Sequence, residues 1–205
     1  MINLQKGQKI DLTKTNPGLT KIMVGLGWDP ADNHGGGGKG LLGSLFGGGA
    51  KTSNIDCDAS VFMLDAKGKL AKNKNLVYFG NKTSPCGSVR HSGDNLTGEG
   101  DGDDEQIMVD LSRVPADVHR LVFVVNIYDC EKRKQHFGMI RNAFIRVVNT
   151  SNNQELCKYN LSEGYENKTT LITGEVYRHQ GEWKFAALGE STTDPGLQSL
   201  SRRFL

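Results

Sequence analysis

Nine residues, Arg120 to Tyr128, read RLVFVVNIY, and this run constrains the fold more than any other part of the chain. β-Branched and aromatic side chains follow one another almost without polar interruption, a composition that suits a pleated strand better than a helix. Because apolar residues fall at both parities, both faces of the strand have to be covered, which places it in the middle of a layered structure. Asn126 is its one polar interior position and requires a hydrogen-bond partner or a metal, with a hydrogen bond the expected solution.

Shorter strands are predicted around it. Residues 2–12 alternate weakly, an Asn16-Pro17-Gly18 turn leads into Lys21 to Leu26, and Gly27 to Pro30 closes that strand. Trp28 is expected in the core, and Asp29 either caps the turn or faces a cation. Asp56 to Leu64, Leu76 to Phe79, Ser88 to Ser92, Ile107 to Leu111 and Met139 to Val148 read as further strands, the last turning through TSNNQE into Leu156 to Leu161. Thr169 to Arg178 and Glu182 to Ala187 form another hairpin. No helical period is sustained over a long stretch, so the fold class is all-β, an antiparallel β-sandwich with metal-binding loops at one end. With 205 residues, one domain over 1–191 is expected, interrupted by a flexible glycine-rich insertion at 35–49 and followed by a solvated tail at 192–205.

The chemistry concentrates in GDNLTGEGDGDDE, residues 93–105. Six carboxylates fall between Asp94 and Glu105, with no Lys or Arg between Arg90 and Arg113. At about 4 Å two carboxylates repel by roughly 1 kcal/mol in bulk water and roughly 4 kcal/mol at an effective dielectric near 20, so a bound divalent cation would relieve a real cost. Hard oxygen ligands without neighbouring His or Cys select Ca2+, Mg2+ or Mn2+ over zinc or copper, and a long glycine-spaced loop suits the larger calcium ion. The spacing is not that of an EF-hand, because Leu96 and Gly98 fall where ligands belong. A second cluster lies at Asp56 and Asp58, whose i, i+2 spacing puts both on one face of a strand. A solvated acidic loop, or a Mg2+ or Mn2+ hydrolase centre, are the alternatives for the loop.

Other classes find less support. A net charge of +2 with dispersed cations does not suit a nucleic-acid binder, and the five histidines lack HExxH spacing, just as no GxSxG elbow occurs. The N-terminus has no apolar leader and no stretch is long enough to span a bilayer, so a cytoplasmic location is expected. Cys57, Cys86, Cys130 and Cys157 form no CxxC pair and are expected as free thiols in or near the core. A thiol-based redox role is the remaining alternative, although no cysteine has a basic neighbourhood in sequence. Within 35–49, where nine of fifteen residues are glycine, Leu41 to Phe46 hold a short apolar patch through which the chain could self-associate or meet a membrane surface.

The segments INLQKGQKIDL, VGLGWD, DCDASVFMLD, GDNLTGEGDGDDE, VFVVNIYD, FGMIRNAFIRVVN and GEVYRHQGEWKF, in that order, resemble the TerD family of bacterial tellurite-resistance and stress proteins over nearly the whole chain. The resemblance implies a β-sandwich binding one or two calcium ions through acidic loops, a cytoplasmic location, induction under chemical stress and no established enzyme activity. Other stress-resistance proteins, at the inner membrane surface, are the expected partners. The family's loop pattern matches at Asp94, Asn95, Asp103, Asp104 and Glu105, whereas Glu99 and Asp101 fall on its variable positions. Its D-x-D-A-S pattern matches at Asp56 and Asp58, with Cys57 where an aliphatic residue is more usual. The implied metal ligands are therefore Asp56, Asp58, Asp94, Asn95, Asp103, Asp104 and Glu105.

Overall fold

The computed structural model describes residues 1–30, 55–93, 102–161 and 164–205. Among these the strands are β1 (Ile2–Leu4), β2 (Lys9–Asp11), β3 (Lys21–Pro30), β4 (Cys57–Leu64), β5 (Leu76–Val77) and β6 (Val89–His91), then β7 (Glu105–Asp110), β8 (Arg120–Ile127), β9 (Ile140–Asn149), β10 (Gln154–Asn160), β11 (Thr170–His179) and β12 (Glu182–Thr192). Two short α-helices, α1 (Cys130–Arg133) and α2 (Leu197–Ser201), and four single-turn 3-10 helices complete the description.

The strands form two six-stranded sheets, one ordered β1-β10-β9-β3-β7-β6 and the other β2-β12-β11-β8-β4-β5. The pairing is antiparallel except for β1 on β10, which is parallel. Gln180 and Gly181 both take positive φ between the paired residues His179 and Glu182, the two-residue turn that matches strand twist. Between the sheets, Ile22, Val24 and Leu26 of β3 and Ile107 and Val109 of β7 meet Cys57, Ala59, Val61 and Met63 of β4 and Leu121, Phe123 and Ile127 of β8.

The run at 120–128 is covered on both faces, as its composition requires. Its inward residues enter the main core, while Val122 and Val124 point the other way and join Phe62, Leu64, Leu70, Ile172 and Leu200 in a second apolar cluster. That second cluster corrects the expectation of a solvated tail. Residues 192–205 finish β12, turn at Pro195 and Gly196, and lay α2 across the outer face of the second sheet, where Leu200 is fully buried and the Phe204 ring lies 4.8 Å from that of Phe62. The outward face of β8 is apolar, and only a chain segment laid over it removes that surface from water. Asp194 holds the turn: it accepts from the Thr192 and Ser199 hydroxyls at 2.7 Å each and from the Arg203 guanidinium at 2.8 Å.

All four cysteines are free, with Cys57, Cys130 and Cys157 buried and Cys86 half-buried. Trp28 is 4% exposed. The glycine-rich insertion, with its patch at Leu41 to Phe46, lies outside the described residues.

Candidate metal centre

The end of β3, the start of β4, the start of β7 and the end of β8 converge at one end of the sandwich, because Leu26 pairs with Glu105 in the first sheet and Cys57 with Ile127 in the second. Cys57 opens β4 at this end and is fully buried. Burial pushes its thiol pKa well up, and the neighbouring charges of Asp58, Asp56, Glu105 and Asp104 push it further. Four of the implied ligands are thus gathered within electrostatic reach of one buried atom, from two segments about fifty residues apart in sequence.

The three consecutive acids of the loop end have three different environments. Asp103 lies on the outer face of the first sheet, its carboxylate fully buried and held by two bonds from Arg146, Nε at 2.7 Å and Nη2 at 2.9 Å. Arg146 is held in turn by Glu155 at 3.0 Å. Asp103 rests directly over Gly25, where any Cβ would collide with its carboxyl group, and a Cβ on Gly27 would come 2.6 Å from the Gly102 carbonyl oxygen. The two glycines of GLGW are the bed on which the loop end lies.

Asp104 is the outward-facing member. Its backbone N–H donates to the Leu26 carbonyl and its Oδ2 accepts the Trp28 N–H, each at 2.8 Å. Burial raises the pKa of this carboxyl against the Trp28 bond that lowers it, and the charges of Asp29 and Asp103 raise it further. Asp29 itself accepts from the Asn142 amide at 2.7 Å.

Glu105 points inward, at the same strand parity as Ile107 and Val109, and is 0% exposed. Its Oε2 accepts the Ala59 N–H, while the Nε2 of His91 lies 3.1 Å from the Ala59 carbonyl oxygen and 3.3 Å from Glu105 Oε2. His91 Nδ1 accepts the Gly93 N–H, which leaves the ring proton on Nε2. β5 pairs only with Val61 and Phe62 of β4. Glu105 and His91 therefore replace a neighbouring strand at Ala59, and they join the edge of one sheet to the other.

Asp58 lies on the outward face of β4 and Asp56 immediately before the strand, 3% and 7% exposed. Arg133 of α1 approaches Asp56 to 3.7 Å, and Asp58 is the register partner of Asn126. Asp94 and Asn95, like Glu99 and Asp101, lie outside the described residues. Among the described residues no group of three or more His, Cys, Asp or Glu side chains is placed to hold a metal by itself.

Several participants were invisible in the sequence reading. Arg146 is opposite Gly25 only because β9 pairs with β3, and no local pattern announces that register. The inward turn of Glu105 had a signal, its shared parity with Ile107 and Val109. The expected hydrogen bond to Asn126 does not form at its Oδ1 among the described residues, although the side chain is 4% exposed. Cys86, which in sequence lacks a basic neighbour, has the Arg113 Nη2 at 3.2 Å from its carbonyl oxygen. Burial raises the Cys86 pKa, but contacts from the Ser84 and Ser88 hydroxyls, at 3.4 and 3.0 Å, outweigh it and leave the thiol more acidic than usual.

Comparison with known proteins agrees with this architecture. The TerD domain family matches residues 1–204. The chain is 60% identical over 204 residues to "Stress response protein SCP2" of Bacillus subtilis strain 168, covering 100% of this chain and 99% of that one. It is 39% identical over 203 residues to "Tellurium resistance protein TerD" of Serratia marcescens, covering 99% and 96%. Among solved structures, a homologue of telluride resistance protein TerD from Streptomyces coelicolor A3(2) superposes with a TM-score of 0.64 at 21% identity, over 85% of this chain and 91% of that one.

Proposed function

The chain belongs to the TerD family, and from that premise we propose that it is a stress-resistance protein whose acidic end binds calcium, and that it acts as a non-enzymatic scaffold in chemical-stress and tellurite resistance. The relatives' names support the stress role. The observation that supports the calcium role is the gathering of Asp56, Asp58, Asp104 and Glu105 around Cys57, in a set of donors that is oxygen throughout.

The donor chemistry fits a hard cation. Asp104, Asp56 and Asp58 are the described residues suited to ligation, with Asp94 and Asn95 completing the set. Asp103 and Glu105 are better suited to fixing the loop end, since Arg146 occupies the first and Ala59 with His91 the second. Calcium would supply charge neutralisation and a crosslink between the segment at 56–58 and the loop. At free calcium of 100 times the dissociation constant, binding adds about 2.7 kcal/mol of stability.

Calorimetric titration of the full chain tests this, with Asp104→Asn as the variant. Saturable calcium binding that this variant weakens at least about tenfold, the scale of one lost charged ligand, is expected. An unchanged melting temperature between calcium and chelator, together with an unaffected Asp104→Asn, would overturn it. A cytoplasmic location and partners among other stress-resistance proteins at the inner membrane surface go with this reading; among the described residues no helix is long and apolar enough to cross a membrane.

Cys86 favours a second reading, thiol chemistry in the stress response, because its hydroxyl contacts make it the most thiolate-prone of the four cysteines. Full resistance in a strain carrying Cys86→Ser would remove it.

A further inference from the structure

A groove of about 210 Å³ opens on the outer face of the first sheet, at the end away from Glu105. β3 runs from Lys21 at the groove to Leu26 beside Glu105, and β7 runs back from Glu105 to Asp110, so the length of that strand pair separates the groove from the acidic end. Strand parity selects the lining. Ile22 and Val109 enter the core, which turns Lys21, Met108 and Asp110 outward, and Arg90 of β6 is the register partner of Met108. Arg113, in the turn after β7, closes the remaining side with Gly87.

Lys21, Arg90 and Arg113 are all exposed, and none of them has a carboxylate within ion-pair distance among the described residues. The described lysine and arginine ion pairs belong to Arg120, Lys132, Arg133, Arg146, Lys184 and Arg203 instead. Asp110 is the one carboxylate in the lining, and its Oδ1 accepts the Ser112 hydroxyl at 2.6 Å. The wall therefore sets three positive charges against one negative. Arg113 is held in position, its Nη2 donating to the Cys86 carbonyl at 3.2 Å and lying over Gly87, where an added Cβ would come 3.2 Å from the same nitrogen. That bond uses one of five guanidinium donors. Beside Arg90 stands Met108, 39% exposed, an apolar surface among the cations.

Converging like charges repel until an anion joins them. A phosphate monoester carries about −1.5 to −2 charge at pH 7 and three strong acceptor oxygens, which matches the excess of positive charge in the groove, and the guanidinium fork suits phosphate geometry. A carboxylate brings one charge and two oxygens, which leaves a cation over. The volume is below the roughly 300–1,000 Å³ of drug-sized sites, so the body attached to the phosphate is short. We propose that this groove binds a phosphate monoester with a short apolar body, its phosphate held by Arg90, Arg113 and Lys21 and its carbons laid against Met108. The inference goes beyond the calcium reading and does not rest on it.

Titration of the calcium-free full chain with butyl phosphate, inorganic phosphate and butyrate, followed by calorimetry, tests it. Butyl phosphate is expected to saturate a single site, with inorganic phosphate weaker and butyrate at least about tenfold weaker. Its affinity should fall between pH 7.5 and pH 5, as the phosphate takes up its second proton near pH 6. Arg90→Gln, at an exposed position, is expected to weaken binding by about tenfold or more, the range for a lost hydrogen bond between charged groups. Asp110→Asn should act in the opposite sense and tighten it by about threefold, because a nearby negative charge is removed; damage to the fold would not produce a gain. The proposal is overturned if butyl phosphate does not saturate, if inorganic phosphate or butyrate binds as tightly, if Arg90→Gln binds like the parent, or if Asp110→Asn brings no gain. Absence of calcium binding in the same protein, with phosphate binding intact, would sink the calcium reading alone.

Discussion

Asp103, Asp104 and Glu105 are chain neighbours that separate into a clamp, an outward acid and an internal strand substitute. Truncating Arg146 to Leu would leave the Asp103 carboxylate buried without its cation, a loss of about 3 kcal/mol. Adding Asp103→Asn should recover much of it, because a neutral amide has less charge to strand. Equilibrium denaturation in chelator checks both, and an Arg146→Leu protein as stable as the parent would remove the clamp. Asp104→Asn should instead leave chelated stability nearly unchanged, since the amide oxygen can still accept from Trp28. At the same scale, Cys86 should be the first thiol to alkylate in the native protein, and labelling near neutral pH followed by peptide mapping reads this directly. Its acidity is increased by two hydroxyl contacts, whereas burial holds the Cys57 thiol protonated and pushes Cys157 up to about 12. Little of this could be read from the acidic string itself: three neighbouring carboxylates gain different roles only once Gly25, Arg146, Ala59 and His91 are brought to them by pairing.

Elements were easier to read than contacts. The strand at 120–128 declared itself through composition, and 21–26, 56–64 and 169–178 through alternation or β-branched content, because each is long enough for its pattern to accumulate. The tail hid because Leu197, Leu200 and Phe204 are three apolar residues spread over eight, too short for a helical period to show. Yet the tail is an element with a defined latch. Burial raises the Asp194 pKa, but bonds from Ser199 and Thr192 and the charge of Arg203 outweigh it and hold it below the ordinary 3.8. A carboxyl depressed in the folded state contributes stability above its unfolded value, lost as pH falls through the lower folded one. The tail should therefore stay docked at neutral pH and loosen below about pH 4. Asp194→Asn should show the same loosening at neutral pH. Hydrogen exchange of α2 across this range, or protease sensitivity after Thr192, measures it; protection that is independent of pH and of the substitution would show that the apolar contacts suffice.

At the scale of the whole molecule, the sandwich carries distinct chemistry at separate places: an acidic end, a cationic groove at the opposite end of the first sheet, and a half-buried thiol near Arg113. The sheet order has one more consequence. β1 pairs with β10 and β2 with β12, so both short strands close only against partners far along the chain. Part of the outer face of β8 is covered by α2, whose Leu200 joins Val122 and Val124. Pairings that span nearly the full length of a chain are slow to form and leave strand edges open meanwhile. Until those distant pairings form, the open edges of β10 and β12 and the apolar outer face of β8 are surfaces on which two copies can meet, so the hazard of association lies in folding rather than in the folded molecule.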